Sequence, residues 1–219
     1  MDGSVDIIEA RRGMPSPPGR KCEDGSMLVD AHCHLTGSYL AEGQETETLL
    51  ARAREAGVSG FIAVGTDLDD SRAVLALARK TPQVRASSGG QPQEAATGTE
   101  ETGTALDAMI GDPAVRFVGE TGLDFHYDHS PRDIQEEVFR AQIRLAKKHR
   151  KPLMIHTRSA PFDTLRVLRE EGAEAARGMI HCFSEDRAFA EAALDLGFLL
   201  SFSGIVTFKT AETIRDVAK

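Results

Sequence analysis

Two periodicities alternate along this chain. Short apolar runs recur, and between them apolar residues fall at helical spacing. The runs predict strands near 28–33, 59–65, 84–88, 115–121, 151–157, 178–182 and 198–203. Their starts lie 20 to 36 residues apart, the length of one βα unit. The clearest helix spans 131–148. Ser130 is placed to cap it, Pro131 suits its first position and Asp133 gives a capping-box-like start. Ile134, Val138, Ala141 and Leu145 then line one of its faces. Gly57 reads as the stop of an apolar-periodic helix over 46–56. Residues 1–26 lack any period, and Met14-Pro15-Ser16-Pro17-Pro18-Gly19-Arg20 is rich in breakers. They are expected to form a disordered extension ahead of one domain over 27–219, with Met27 at the head of the first strand.

Strands alternating with helices specify the α/β class and a (β/α)8 TIM-type barrel. About seven βα units are present, and the eighth strand is missing before Lys219. Either the chain is a fragment, incomplete at its C-terminus, or it closes by other means.

Four of the expected strands end on metal-ligand side chains: Asp30-Ala31-His32-Cys33-His34, Gly119-Glu120, Ile155-His156 and Ile180-His181. Parallel strands deliver such ends to one rim, where barrels of this type place their chemistry. Alternation along a strand points His32 and His34 the same way with Asp30 behind them, and turns Val29, Ala31 and Cys33 toward the helices. Asp30 is then placed to orient one imidazole. Glu120, between Gly119 and Thr121-Gly122, is a carboxylate able to bridge two cations. Imidazole and carboxylate donors suit zinc, manganese, iron or nickel, while magnesium is poorly served but can still act in an assay. Single buried histidines have a mundane reading as satisfied core groups; their recurrence at the same point of successive βα units does not. Arg158, two residues beyond His156, could clamp a phosphate or sit in a surface ion pair, and the sequence leaves both open. His126 and His129 read as solvated loop residues on the ligand rim, and Cys33 and Cys182 as small apolar packers.

Charge and composition narrow the partners. A net charge of −8 argues against a broad basic surface coating nucleic acid. It does not exclude a nucleic-acid-cutting enzyme, because two divalent cations would add about +4 at the site. The basic run Lys147-Lys148-His149-Arg150-Lys151 falls on the opposite rim and reads as a solvated helix terminus. No apolar run approaches the ~20 residues of a membrane span. Three cysteines make no disulfide framework, so the expectation is a cytoplasmic protein, monomeric by default.

Asp30-Ala31-His32-Cys33-His34-Leu35, Gly119-Glu120-Thr121-Gly122-Leu123-Asp124, Ile155-His156-Thr157-Arg158, Ile180-His181-Cys182-Phe183-Ser184 and Ser201-Phe202-Ser203-Gly204-Ile205-Val206-Thr207-Phe208 together resemble the TatD family of metal-dependent deoxyribonucleases, in the family's order, from about Met27 to Lys219. The resemblance implies an amidohydrolase-type barrel, two divalent metal ions and hydrolysis of DNA phosphodiesters, often from an end. It assigns metal binding to His32, His34, Glu120, His156 and His181, makes Glu120 the catalytic carboxylate, and leaves Arg158, Asp124 and Ser203 as candidate substrate contacts. Two departures stand out. The family continues to a Glu-Thr-Asp segment on an eighth strand, whose Asp is a ligand and base. The family's Gly-x-His-Pro-His segment reads Gly89-Gly90-Gln91-Pro92-Gln93 here, and glutamine keeps hydrogen bonds but shuttles no proton. The alternatives are a related hydrolase of a small ester, lactone or amide, or a truncated, catalytically inactive barrel. The carbamylated lysine that many such hydrolases place on the fourth strand is replaced here by Glu120, which favours the nuclease branch.

Overall fold

The computed structural model describes residues 7–9 and 28–219. A short strand β1 (Ile7–Glu9) pairs antiparallel with β2 (Leu28–Cys33). From β2 onward the pairing is parallel and follows chain order through β3 (Val58–Val64), β4 (Val84–Ser88), β5 (Val115–Asp124), β6 (Leu153–Arg158), β7 (Gly178–Ile180) and β8 (Phe198–Leu200). Helices α1 (Thr46–Glu55), α2 (Leu68–Lys80), α3 (Glu100–Ile110), α4 (Arg132–His149), α5 (Pro161–Glu170) and α6 (Arg187–Asp195) fill the crossovers, and α7 (Glu212–Val217) follows β8. The seven parallel strands curl into a half-barrel of the TIM type with helices packed outside, as the alternation of periods implies. Among the described residues no helix is long and apolar enough to cross a membrane.

Three packed layers hold this arrangement. Outside the sheet, Leu153, Ile155, Ile180 and Phe198 meet Phe139 and Ile143 of α4 and the buried faces of α5 and α6. On the other half, Phe61, Val84 and Ala86 meet Leu50 of α1 and Val74 of α2. Inside the curl, Ala31, Val64, Met154 and Met179 form a small apolar floor. Met154 and Met179 lie two residues before His156 and His181, so strand alternation sets the ligands directly above that floor.

Several expectations need correction. Ala31 joins the inner floor rather than the helix side, because the β2–β3 register shifts between Asp30 and Cys33 and interrupts the alternation. Cys33 does pack outward, against the cluster around Phe61. Ser130 does not cap α4. Its hydroxyl donates to the Gln93 carbonyl and accepts from the Ala96 N–H, and Pro131 occupies the cap position without a side-chain bond. The basic run is not simply solvated. Lys148 and His149 both engage Asp107, and Lys151 donates to the carbonyls of Ile110, Asp112 and Val115, closing the end of α3. Within the segment expected to be disordered, Ile7–Glu9 forms a strand. The open edge of β2 offers unpaired backbone groups, which this short strand pairs. The rest of 1–26, with Cys22 and Met27, lies outside the described residues.

The α4 stripe of Ile134, Val138, Ala141 and Leu145 also fares differently from a core face. It lines an open groove facing Leu106 of α3. The face turned to the sheet carries Phe139, Ile143 and Ala146, each fully buried. Replacing Phe139 by Ala should therefore cost about 3–5 kcal/mol of stability, and Ile134→Ala at most about 2 kcal/mol. Urea unfolding followed by circular dichroism measures both; equal losses would place the groove stripe in the core.

Candidate metal centre

The five candidate ligands arrive at the C-terminal ends of four parallel strands. His32 lies in β2 with His34 just beyond it, Glu120 in β5, His156 in β6, and His181 directly after β7. Asp30 accepts the peptide N–H of His32 at 3.2 Å, so it fixes backbone at this strand end. β5 needs two glycines to bring its carboxylates to the rim. Gly119 (φ +136°) and Gly122 (φ +142°) lie so close to β6 that a Cβ would sit 2.3 Å from the Met154 carbonyl oxygen or 1.9 Å from that of His156. The β5–β6 register shifts between Val118 and Thr121, which swings Glu120 inward.

The side chains converge on Glu120. Its Oε2 faces His32 Nε2 at 3.5 Å and His34 Nε2 at 4.0 Å. Its Oε1 faces His181 Nε2 at 3.0 Å and His156 Nδ1 at 3.1 Å. Nε2 atoms of His32 and His34 lie 3.2 Å apart, and the His32 and His181 rings stack at 3.9 Å. Two ligand groups result, His32–His34–Glu120 and Glu120–His156–His181, with the atoms of each within 4.8 Å of one another. Glu120 belongs to both.

Burial makes this cluster electrically demanding. Glu120 is only 4% exposed, yet although burial opposes its ionisation, His181, His156 and His32 hold its carboxyl well below the usual carboxylate range. For His32, burial first and then the neighbouring His181 depress the pKa well below normal, leaving a neutral ring with a lone pair. His156 goes the other way: burial opposes its charge, but Asp124 and Glu120 raise it to about 9. Nδ1 atoms of His32, His34 and His181 are buried without a hydrogen-bond partner among the described residues. Imidazoles and one ionised carboxylate crowded together, with ring nitrogens left over, form a donor set that fits divalent cations of the zinc, manganese, iron or nickel kind.

Around the centre the other candidates take distinct places. Asp124 is 1% exposed. Its Oδ2 accepts from His156 Nε2 at 2.9 Å and from Gln93 Nε2 at 2.8 Å, while its Oδ1 accepts the peptide N–H groups of His126 and Tyr127. It thus orients His156, and burial is overcome by these bonds in keeping its carboxyl below the normal range. Ser203 is 2% exposed, with its hydroxyl 2.7 Å from Cys182 Sγ. Arg158 is half-buried with its guanidinium 4.6 Å from the centre of the Tyr127 ring. Among the described residues no carboxylate pairs with it, so the ion-pair reading loses its partner. His126 and His129 are exposed on either side of Tyr127. Tyr39, which the ligand motifs do not flag, stacks on His34 at 4.3 Å. Its signal in the sequence was scarcity: the chain has two tyrosines, and both lie in loops following ligand-bearing strands.

Comparison with known proteins agrees with this geometry. Residues 29–219 match the family model described as TatD related DNase. The chain is 38% identical over 195 residues to the Bacillus subtilis protein named uncharacterized metal-dependent hydrolase YabD, covering 88% of this chain and 75% of that one. It is 35% identical over 178 residues to the 3'-5' ssDNA/RNA exonuclease TatD of Edwardsiella piscicida, covering 81% and 68%. Among solved structures it is similar to the TatD homolog YJJV of Escherichia coli, with a TM-score of 0.78, 27% identity, and coverage of 86% and 73%.

The raised pKa of His156 gives a pH signature. Without metal its proton stabilises the fold fully below the unfolded value of about 6.5, and that contribution is lost as pH rises through about 9. A cation taking a His156 nitrogen must displace the proton. Metal affinity should therefore rise by up to about tenfold per pH unit below pH 9 and level off above it. Competition titrations against a chromophoric chelator at several pH values measure this; an affinity flat in pH would mean that no proton is displaced from His156.

Proposed function

The chain belongs to the TatD related DNase family of metal-dependent hydrolases, and from that premise we propose that it cleaves phosphodiester bonds of DNA with two divalent metal ions. The observation that carries this reading is the division of Glu120, one oxygen toward His32 and His34 and the other toward His156 and His181. In this reading His32, His34 and Glu120 hold one ion, and Glu120, His156 and His181 hold the other. The bound ions would supply a water acidified to near-neutral pKa and Lewis-acid stabilisation of charge on a phosphoryl oxygen.

The protein's own residues do the rest. Asp124 and Gln93 fix the His156 ring. The apolar floor of Ala31, Val64, Met154 and Met179 excludes water from below, which strengthens every charge interaction above it. Arg158, with no carboxylate partner among the described residues, presents a planar fork suited to two oxygens of one phosphate.

His156→Ala removes one ligand of the pair shared through Glu120. It should weaken metal binding more than about tenfold and abolish cleavage of single-stranded DNA, which in the wild type a chelator should also abolish. The checks are isothermal titration with manganese or zinc and a gel assay of a labelled oligonucleotide. Undiminished metal-dependent cleavage by this variant would remove the assignment.

A further inference from the structure

Exposed aromatic side chains are distributed unevenly on this molecule. Among the described residues four tyrosine and phenylalanine rings are exposed, Tyr39, Tyr127, Phe162 and Phe208. Tyr39 sits in the short 3-10 turn Gly37–Tyr39 after β2 and Tyr127 in the loop after β5. Phe162 lies in the first turn of α5, which follows β6, and Phe208 in the segment after β8. All four therefore lie on the rim that carries the candidate ligands, and none on the opposite rim. Packing does not require exposed rings, and rings gathered around one opening mark a place that meets apolar, flat chemistry.

Tyr127 is the best defined of them. Two hydrogen bonds chain it to the centre: its peptide N–H donates to Asp124 Oδ1 at 2.9 Å, and Asp124 Oδ2 binds His156 Nε2 at 2.9 Å. One face of its ring is covered by the Arg158 guanidinium, while half of the residue stays open at 50% exposure. Arg158 lies two residues beyond His156 on β6, so strand alternation gives both side chains the same face. A cation held flat on an aromatic ring keeps its N–H edge free for an anion. A phosphate donor and a stacking surface are thus locked to each other and to a ligand histidine. Nucleic acid offers this pairing of charge and flat ring at every residue, and an unpaired base has a free π-face. A base within a duplex does not.

We propose that Tyr127 and Arg158 form a nucleotide subsite beside the metal centre, in which Arg158 takes a backbone phosphate and Tyr127 stacks an unpaired base. This rests on the phosphodiesterase reading and adds to it the side chain that holds the base of the bound nucleotide. Tyr127 acts through contact with the base and not through the hydrolytic centre.

The test uses the full chain loaded with manganese, and Tyr127→Ala and Tyr127→Phe variants. The binding probe is a single-stranded oligonucleotide with cleavage-resistant phosphorothioate linkages, carrying 2-aminopurine at its 3′ end in one version and its 5′ end in another. The hydrolysis probe is bis(4-nitrophenyl) phosphate, a diester with no base. Wild type should quench the 2-aminopurine of one version on binding. Tyr127→Ala should lose the quench and bind roughly tenfold more weakly or worse, and Tyr127→Phe, which keeps the ring, should keep both. Unchanged quench and affinity in Tyr127→Ala would overturn the subsite, as would the same loss in Tyr127→Phe, which keeps the stacking ring. Hydrolysis of the small diester by a wild type that shows no quench at either end would overturn the subsite and leave the hydrolase reading standing. Quenching that depends on Tyr127 in a protein that hydrolyses neither the small diester nor an unmodified oligonucleotide with manganese or zinc would uphold the subsite while removing the hydrolase reading.

Discussion

Everything at the rim follows from one buried carboxylate. Glu120 is ionised, 4% exposed, and touched by imidazoles from three other strands or strand ends. A carboxylate so placed must be compensated, because an isolated charge in this setting is costly by several kcal/mol. Protons compensate it in part, through His156. They cannot do so throughout, since burial and mutual repulsion keep His32 neutral. The cluster is therefore tuned to accept positive charge that is not carried by protons alone, and metal ions meet that need with the same donors. The stability of the barrel and its chemistry are coupled here, as a change at Glu120 would leave several imidazoles without their common partner.

That carboxylate reaches its place through irregularity, not regular strand geometry. A straight β5 would put Glu120 and Asp124 on one face but roughly 13 Å apart, too far to meet one imidazole. Instead the register shift after Val118 and the close approach at Gly119 and Gly122 let Glu120 and Asp124 both address His156. The backbone contacts leave no room for a Cβ at either glycine. The β2 strand shows the same device at Ala31, where a shifted register puts an apolar side chain on the inner floor close to His32. Irregular strand ends above a regular apolar floor form the local design of the site.

These irregularities also mark where reading the sequence stopped. Strand and helix order was legible because hydrophobic period is a local property, and the observed strands fall at the expected positions. The candidate cluster was legible because each member ends an apolar run, a pattern that needs no knowledge of neighbours. What could not be read depends on contacts between distant segments. Ser130 looks like a cap in isolation, but the loop containing Gln93 and Ala96 claims its hydroxyl. The Ile134–Leu145 stripe has perfect helical spacing, yet α4 is apolar on more than one face, and only packing decides which face meets the sheet. Asp124 stood only as a candidate substrate contact; its bonds to His156, Gln93 and two peptide N–H groups come from segments that the sequence does not bring together.

Gln93 shows how a departure from a family pattern can be physically conservative in one respect only. Its amide donates to Asp124 Oδ2, the oxygen that also receives His156 Nε2. A neutral imidazole at this place could make the same single donation, so the orientation of Asp124, and through it of His156, does not require histidine. The opposite amide orientation would set Oε1 against an ionised carboxylate, so the donor assignment follows from electrostatics. Oε1 is left buried and without a donor among the described residues. Glutamine therefore retains positioning and gives up titration near neutral pH, because an amide does not exchange a proton there. The charge state of the Asp124–His156 pair is then set by Glu120 and by whatever cation the imidazoles hold, and no longer by a neighbouring histidine.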